Sequence, residues 1–266
     1  MLCNIHTHTT FCDGKSTAEE VVLSAIEKGF DTIGISGHAS SLHGENWHVS
    51  DMDGYIKTIL DLKEKYKNKI QVYLGIEDDV IKPIDRTPFD YTIGSVHYFY
   101  INGEYLSVDN TPEMQKEIIE KVNGNVLMLA DNYYSMLVDF VLKTKPDIVG
   151  HFDLITKFDE VNGGIFLNNK KYCELAKKYL LEALKSDCIF EVNTGAISRG
   201  YRTNPYPSEE LLFVLKNNGG KIMLNSDSHH ADTLDCHFDE TRKLLKDIGF
   251  TYTYILHDNE FKKDFI

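Results

Sequence analysis

The chain has 266 residues, 42% of them apolar, and a formal net charge of -13 with no block of Lys and Arg. That length supports one sizeable core, commonly a single α/β barrel. The acidic balance excludes generic electrostatic attraction to nucleic acid or to an anionic membrane.

Short runs of strand composition alternate with amphipathic helical runs. The strand candidates in chain order are Cys3–Ile5, Thr32–Ser36, Gln71–Ile76, Tyr91–Val96, Ile148–Gly150, Ile189–Asn193, Lys221–Asn225 and Tyr252–Leu256. After the first, Ser16 is placed to cap a helix, with Glu19 to complete a capping box. Ala18, Val21, Val22, Ala25 and Ile26 then keep helical spacing up to a stop at Gly29. Further helices are expected from Met52 to Lys67, from Lys170 to Lys185, and from Pro207–Ser208 onward. The segment Asn102–Pro146 is longer than one connection needs. It is expected to hold two helices, Glu113–Val122 and Tyr133–Lys143, near enough to overhang a site. This alternation implies an α/β fold, a mostly parallel sheet with helices outside. Seven or eight units favour a closed or nearly closed barrel, with an open doubly wound sheet as the alternative. No repeat or linker interrupts the chain, so a single domain over residues 1–266 is expected.

The five cysteines (Cys3, Cys12, Cys173, Cys188 and Cys236) form no C-x-x-C pair. A disulfide framework is therefore not expected, and a cytoplasmic location fits. No signal peptide or bilayer-length apolar stretch is visible.

Side chains able to bind metal gather at strand ends. His6 and His8 end the first strand and, two residues apart, face the same side. His38 ends the second strand, Glu77 the third, His97 the fourth and His151 the fifth. Asp227 and His229 end the seventh, and Asp13 follows the first in a Cys-Asp-Gly turn. In a barrel these ends converge on one rim, where sites form. Each has an ordinary reading alone. A strand-end His is usually hydrogen-bonded structure, Asp13 before Gly14 a turn former, and Glu77 with Asp78 and Asp79 a solvated acidic run. Those readings would scatter the nine residues over both barrel ends; all fall at one. Imidazole and carboxylate suit Zn, Mn, Fe or Co, and the absence of cysteine from the pattern argues against iron–sulfur or zinc–thiolate sites. Nine ligands exceed the roughly three to five that one catalytic ion takes. Two or three divalent ions are expected, with Glu77 and Asp227 as bridges.

The motifs His6-Thr-His8, Gly37-His38, Gly75-Ile76-Glu77, Gly94-Ser95-Val96-His97, Gly150-His151-Phe152-Asp153 and Ser226-Asp227-Ser228-His229 resemble the PHP (polymerase and histidinol phosphatase) superfamily. The stretch Glu191-Val192-Asn193-Thr194-Gly195, with Arg199 and Tyr206-Pro207-Ser208, is similar to the histidinol-phosphate phosphatase branch. The resemblance implies a distorted (β/α)7, TIM-like barrel with its active site at the C-terminal strand ends. It implies one metal on His6, His8, Glu77 and Asp227, a second on Glu77, His97 and His151, and a third on Asp13, His38 and His229. The sequence departs at Gly37, where the pattern often has Asp, and around Arg199, where Ser198 lengthens the segment by one residue.

The implied reaction is hydrolysis of a small phosphate monoester, L-histidinol phosphate, by a metal-bridging hydroxide. Arg199 is the expected phosphate ligand, with Arg202 and Lys157 as alternatives. Asp227 or Asp153 would deliver a proton to the departing alkoxide, unless Asp153 instead orients His151. His43 could donate to the substrate, and His230 could support His229. Trp47, Tyr98, Tyr133 and Tyr134 could pack against an imidazole. The expected partner is a small phosphate ester, without nucleic acid or membrane; oligomeric state is left open. Competing readings are a phosphoesterase acting on nucleotides, a metal-binding protein without turnover, and an amide hydrolase. The amide hydrolases commonly bridge their metals with a carboxylated lysine, where this chain has Glu77.

Overall fold

The computed structural model describes residues 1–42, 47–82 and 84–266. Its elements run β1 (Cys3–Asn4), α1 (Ala18–Glu27), β2 (Thr32–Ile35), α2 (Met52–Tyr66), β3 (Gln71–Asp79) and β4 (Tyr91–Ser95). Next come β5 (Tyr98–Ile101), β6 (Glu104–Ser107), α3 (Pro112–Lys121), α4 (Val126–Thr144) and β7 (Ile148–Val149). The rest is α5 (Lys170–Ala183), β8 (Ile189–Asn193), α6 (Gly195–Ser198), α7 (Glu209–Asn217), β9 (Lys221–Asn225), α8 (Phe238–Ile248), β10 (Tyr252–His257) and β11 (Glu260–Phe265).

Seven strands pair in parallel in the order β1-β2-β3-β4-β7-β8-β9. The two edges meet just beyond the strands: Thr7 bridges Ser228, and His8 N donates to Ser228 O at 2.8 Å. The sheet is thus nearly closed into a (β/α)7 barrel, as expected. Alternation along β8 shows how the layers arise. Phe190 and Val192 pack outward with the helices, whereas Ile189 joins an inner cluster with Ile5, Tyr91, Ile93, Ile148 and Met223. Tyr91 spans the barrel and donates to Ile5 O. Gly34 and Gly75 are the residues that let it cross, because a Cβ at either would fall 2.3 and 2.1 Å from Tyr91 atoms. The antiparallel β10–β11 hairpin adds Ile255 and Leu256 to this cluster and closes the floor.

Five expectations change. The first helix is capped one residue later: Thr17 Oγ1 accepts from Glu20 N at 3.2 Å and Glu20 Oε2 accepts from Thr17 N at 2.7 Å. Both Ser16 and Thr17 have Glu three residues on; Ser16 Oγ instead accepts from Ala231 N at 3.0 Å. Tyr252–Leu256 is a strand of the floor hairpin rather than of the parallel sheet. The segment after β4 opens with the unexpected β5–β6 hairpin, whose turn residues Asn102 and Gly103 have φ of 52° and 87°, the signature of an Asn-Gly hairpin turn. Its two helices do form, but α4 starts well before Tyr133, because Asn125 caps it by accepting from Met128 N at 3.2 Å. No helix was expected at Phe238–Ile248, where α8 forms.

Candidate metal centre

The barrel mouth collects all nine expected side chains. Glu77 lies at the middle of the group and is 1% exposed. Its Oε2 is 3.3 Å from His6 Nε2, 3.5 Å from His8 Nε2 and 2.9 Å from His38 Nδ1. Its Oε1 is 3.0 Å from His151 Nε2 and 3.5 Å from His97 Nε2. Asp227 Oδ1 stands 3.2 Å from His8 Nε2 and 3.7 Å from His6 Nε2. Toward solvent, Asp13 lies 3.1 Å from His229 Nε2 and 3.7 Å from His38 Nε2. Asp227 holds φ at 48°, an unusual backbone for a residue other than glycine and one that recurs at functional sites.

These spacings suit metal ions better than hydrogen bonds. Four sets have ligand atoms all within 4.8 Å of one another: His8–Asp13–His38–His229, His6–Glu77–His151, His6–His8–Asp227 and His38–Glu77–His97. Tetrahedral zinc at about 2.0–2.1 Å from each ligand sets neighbouring ligands roughly 3.3 Å apart, and many of the separations above fall near that value. His6 Nε2, His8 Nε2 and Glu77 Oε2 are buried without a hydrogen-bond partner among the described residues, which is costly unless something else engages them. The sets also refine the expected grouping. His8 reaches the outer set as well as the inner one, and His38 touches Glu77 as well as Asp13.

Charge makes the same case. Burial opposes ionisation of Glu77 and Asp227. Around Glu77, His6, His38 and His97 outweigh it, and around Asp227, Arg199 and His6 do, so both pKa values lie well below the usual carboxylate range. Burial likewise opposes a charge on His6, but Glu191, Glu77 and Asp227 hold its pKa well above the ordinary value. His8 moves the other way, pushed down to about 3 by burial and by His229 and His38. A buried pocket of ionised carboxylates requires compensating positive charge, and divalent ions supply it while leaving the imidazoles neutral.

Beside the cluster lies a cavity of about 300 Å³, lined by Asp13, His38, His97, His151, Asp227 and His229 together with Trp47, Asp109, Lys157 and Arg199. Arg199 donates to Asp227 Oδ2 at 3.1 Å and sits 3.0 Å from His229 Nδ1. Gly195 leaves it room, since a Cβ there would lie 2.9 Å from both the Arg199 guanidinium and Asp227 Oδ2. Lys157 Nζ donates to Asp109 Oδ2 at 2.8 Å. Trp47 meets the His38 ring edge-on, with centroids 4.6 Å apart.

Other candidates fall elsewhere. Arg202 is 4% exposed, donates to Thr156 and to the carbonyls of Asn204 and Pro205, and stacks on Tyr206; it does not line the cavity. Asp153 is fully buried and accepts from Ser208 N at 2.9 Å, beneath the start of α7. Burial, against the pull of Arg202, raises its pKa. It makes no hydrogen bond to His151 and does not line the cavity, so neither role expected of it follows from its position. Tyr98, Tyr133 and Tyr134 are fully buried in the core, and His230 is half-exposed beside Asp232. His43 lies outside the described residues.

Sequence reasoning missed three carboxylates. Asp79 Oδ2 holds His97 at both Nδ1 (2.8 Å) and the backbone N (3.0 Å). Glu191 Oε1 lies 2.6 Å from His6 Nδ1. Asp109 anchors Lys157, and its pKa is set by burial, which raises it, against Lys157 and His97, which bring it down to about 2. For Glu191 a signal existed: Glu191 and Asn193 share one face of an otherwise apolar strand.

A family model described as PHP domain matches residues 4–195. A Schizosaccharomyces pombe protein called "probable histidinol-phosphatase" is 28% identical, over 92% of this chain and 86% of its own length. The histidinol-phosphatase of Bacillus subtilis is 24% identical, over 85% of this chain and 92% of its own. The crystal structure of histidinol phosphate phosphatase from Lactococcus lactis, complexed with zinc, L-histidinol and phosphate, superposes with a TM-score of 0.67 at 21% identity and covers 98% of both chains.

Proposed function

The chain belongs to the PHP domain family, and on that premise we propose that it is a metal-dependent histidinol-phosphatase. It hydrolyses L-histidinol phosphate to L-histidinol and phosphate, a step of histidine biosynthesis. The observation that carries this reading is the convergence of nine His, Asp and Glu side chains at a cavity that Arg199 and Lys157 also line. Curated relatives matched along most of their length share the histidinol-phosphatase name.

The inner His6, His8, Glu77 and Asp227, the pair His97 and His151 with Glu77, and the outer Asp13, His38 and His229 would hold two or three divalent ions, Zn, Mn or Fe. Such ions supply Lewis acidity toward phosphoryl oxygens and ionise water near neutral pH. The chain does the rest. Arg199 presents its guanidinium to the phosphate, where its planar fork suits two oxygens. Lys157, paired with Asp109, lines the same cavity. Asp227 has its two oxygens in different roles: Oδ1 faces His6 and His8, while Oδ2 is held by Arg199 beside the cavity. Oδ2 is the atom placed to take a proton from the attacking water and pass it to the departing alkoxide. Trp47 lines the same cavity beside His38.

The same reading takes residues 1–266 as one domain and places the protein in the cytoplasm, where its five free cysteines suit a reducing medium. No described helix is long and apolar enough to cross a membrane. A phosphate-release panel over histidinol phosphate, sugar phosphates, nucleotides and an amide tests the activity. Histidinol phosphate should give the highest kcat/KM. Preference for a nucleotide would redirect the substrate, and no release from any ester would remove the phosphatase reading.

A further inference from the structure

Beneath the metal ligands, the barrel holds a layer of fully buried polar side chains: Asn4, Glu191, Asn193 and Asn225. Glu191 sits among donors on every side. Asn225 Nδ2 donates to its Oε1 at 3.1 Å, while His151 N and Asn193 Nδ2 donate to its Oε2, both at 2.9 Å. His6 Nδ1, 2.6 Å from Oε1, is the fourth neighbour. The direction of each asparagine amide follows from a backbone group that can only donate. Ile5 N donates to Asn225 Oδ1 at 3.0 Å, and Gly195 N to Asn193 Oδ1 at 2.8 Å. Both oxygens are therefore spoken for, and both NH₂ groups must face Glu191. An ionised carboxylate offers about four lone-pair sites; three take these donors and the fourth is left for His6.

We propose that Glu191 is a positioning residue for the metal centre, fixing His6 with its proton on Nδ1 and its Nε2 lone pair aimed at the metal, in a relay whose polarity is set by the Ile5 and Gly195 backbone N–H groups through Asn225 and Asn193. Glu191 also ties down the backbone of His151, so one buried carboxylate orders ligands from two strands. The relay crosses the seam where β9 meets β1, since Ile5 N bonds to the Asn225 side chain and Ser226 N and His6 N both donate to Asn4 Oδ1, at 3.3 and 3.2 Å. Closure of the barrel and aim of His6 are thereby one structure. A carboxylate behind a ligating imidazole typically changes metal affinity by about 10–100-fold.

The inference rests on the metal centre of the preceding reading but not on its substrate. The test is long-range ¹H–¹⁵N correlation on the whole zinc-loaded protein with ¹⁵N-labelled histidine, the His6 signals assigned by comparison with His6→Gln. Expected is a protonated Nδ1 with a zinc-shifted Nε2. Zinc on Nδ1, or a proton on Nε2, would overturn the relay, and a sample without zinc would overturn it together with the metal centre. As a second measurement, Glu191→Gln has one oxygen where the site needs two, so two donors face an NH₂ group. It should bind zinc about 10–100-fold more weakly in chelator competition, and wild-type zinc affinity in that variant would equally overturn the proposal.

Discussion

The two ends of the barrel are built from the same seven strands and do opposite things. At the floor, Ile5, Tyr91, Ile93, Ile148 and Ile255 pack into an apolar plug, and the Tyr91 hydroxyl finds a carbonyl. At the mouth, His6 Nε2, His8 Nε2 and Glu77 Oε2 are buried without a hydrogen-bond partner among the described residues, and Asp227 holds a left-handed backbone. The floor satisfies its groups internally, whereas the mouth gathers polar groups that metal ions would satisfy. Stability and binding are thereby separated along the barrel axis, as in α/β barrels generally.

That separation can be broken experimentally at either end. The largest effect is expected from His151→Ala or Asp227→Ala. Loss of a metal ligand should cost several kcal/mol of transition-state stabilisation, roughly 10³-fold in kcat, with the far-ultraviolet circular dichroism spectrum little changed. Wild-type turnover in either variant would take that residue out of the centre. Metal removal comes next. Chelation should abolish phosphate release and lower the melting temperature, and zinc should restore both. At free zinc about 1,000-fold above its Kd the stabilisation is about 4 kcal/mol, readable by calorimetry; identical melting with and without zinc would contradict a mouth built for ions. The complementary change at the floor is Ile255→Ala. This buried residue should cost about 3 kcal/mol in denaturant unfolding while kcat per folded molecule stays constant, and a fall in kcat would show that the ends are coupled. Smallest is Arg199→Ala, which should raise KM about 30-fold with kcat less affected, matching about 2 kcal/mol for a charged hydrogen bond. An unchanged KM would move the phosphate contact to Lys157.

The mouth was more legible than the floor. The candidate ligands stood out because His, Asp and Glu at successive strand ends have few reasons to cluster, and barrel topology turns that linear pattern into a spatial one. Glu191, quoted only as part of a motif, was given no role because it lies inside a strand rather than at its end, where period-two alternation merely places it inward. Asp79 was read as part of a solvated acidic run, yet β3 continues through Asp79 and buries it against His97. At the floor, Tyr252–Leu256 had strand composition, but composition does not tell a parallel barrel strand from half of a hairpin. The cap at Thr17 rather than Ser16 turned on one frame of two overlapping capping patterns, settled by Ala231 claiming Ser16.

The most direct test of the account is anomalous diffraction, at the zinc edge, from crystals of the zinc-loaded protein. Two or three peaks should lie within bonding distance of Glu77, Asp227 and the surrounding imidazoles, below the cavity bordered by Arg199. A map with no peak among these nine side chains would contradict the metal centre and the hydrolysis built on it.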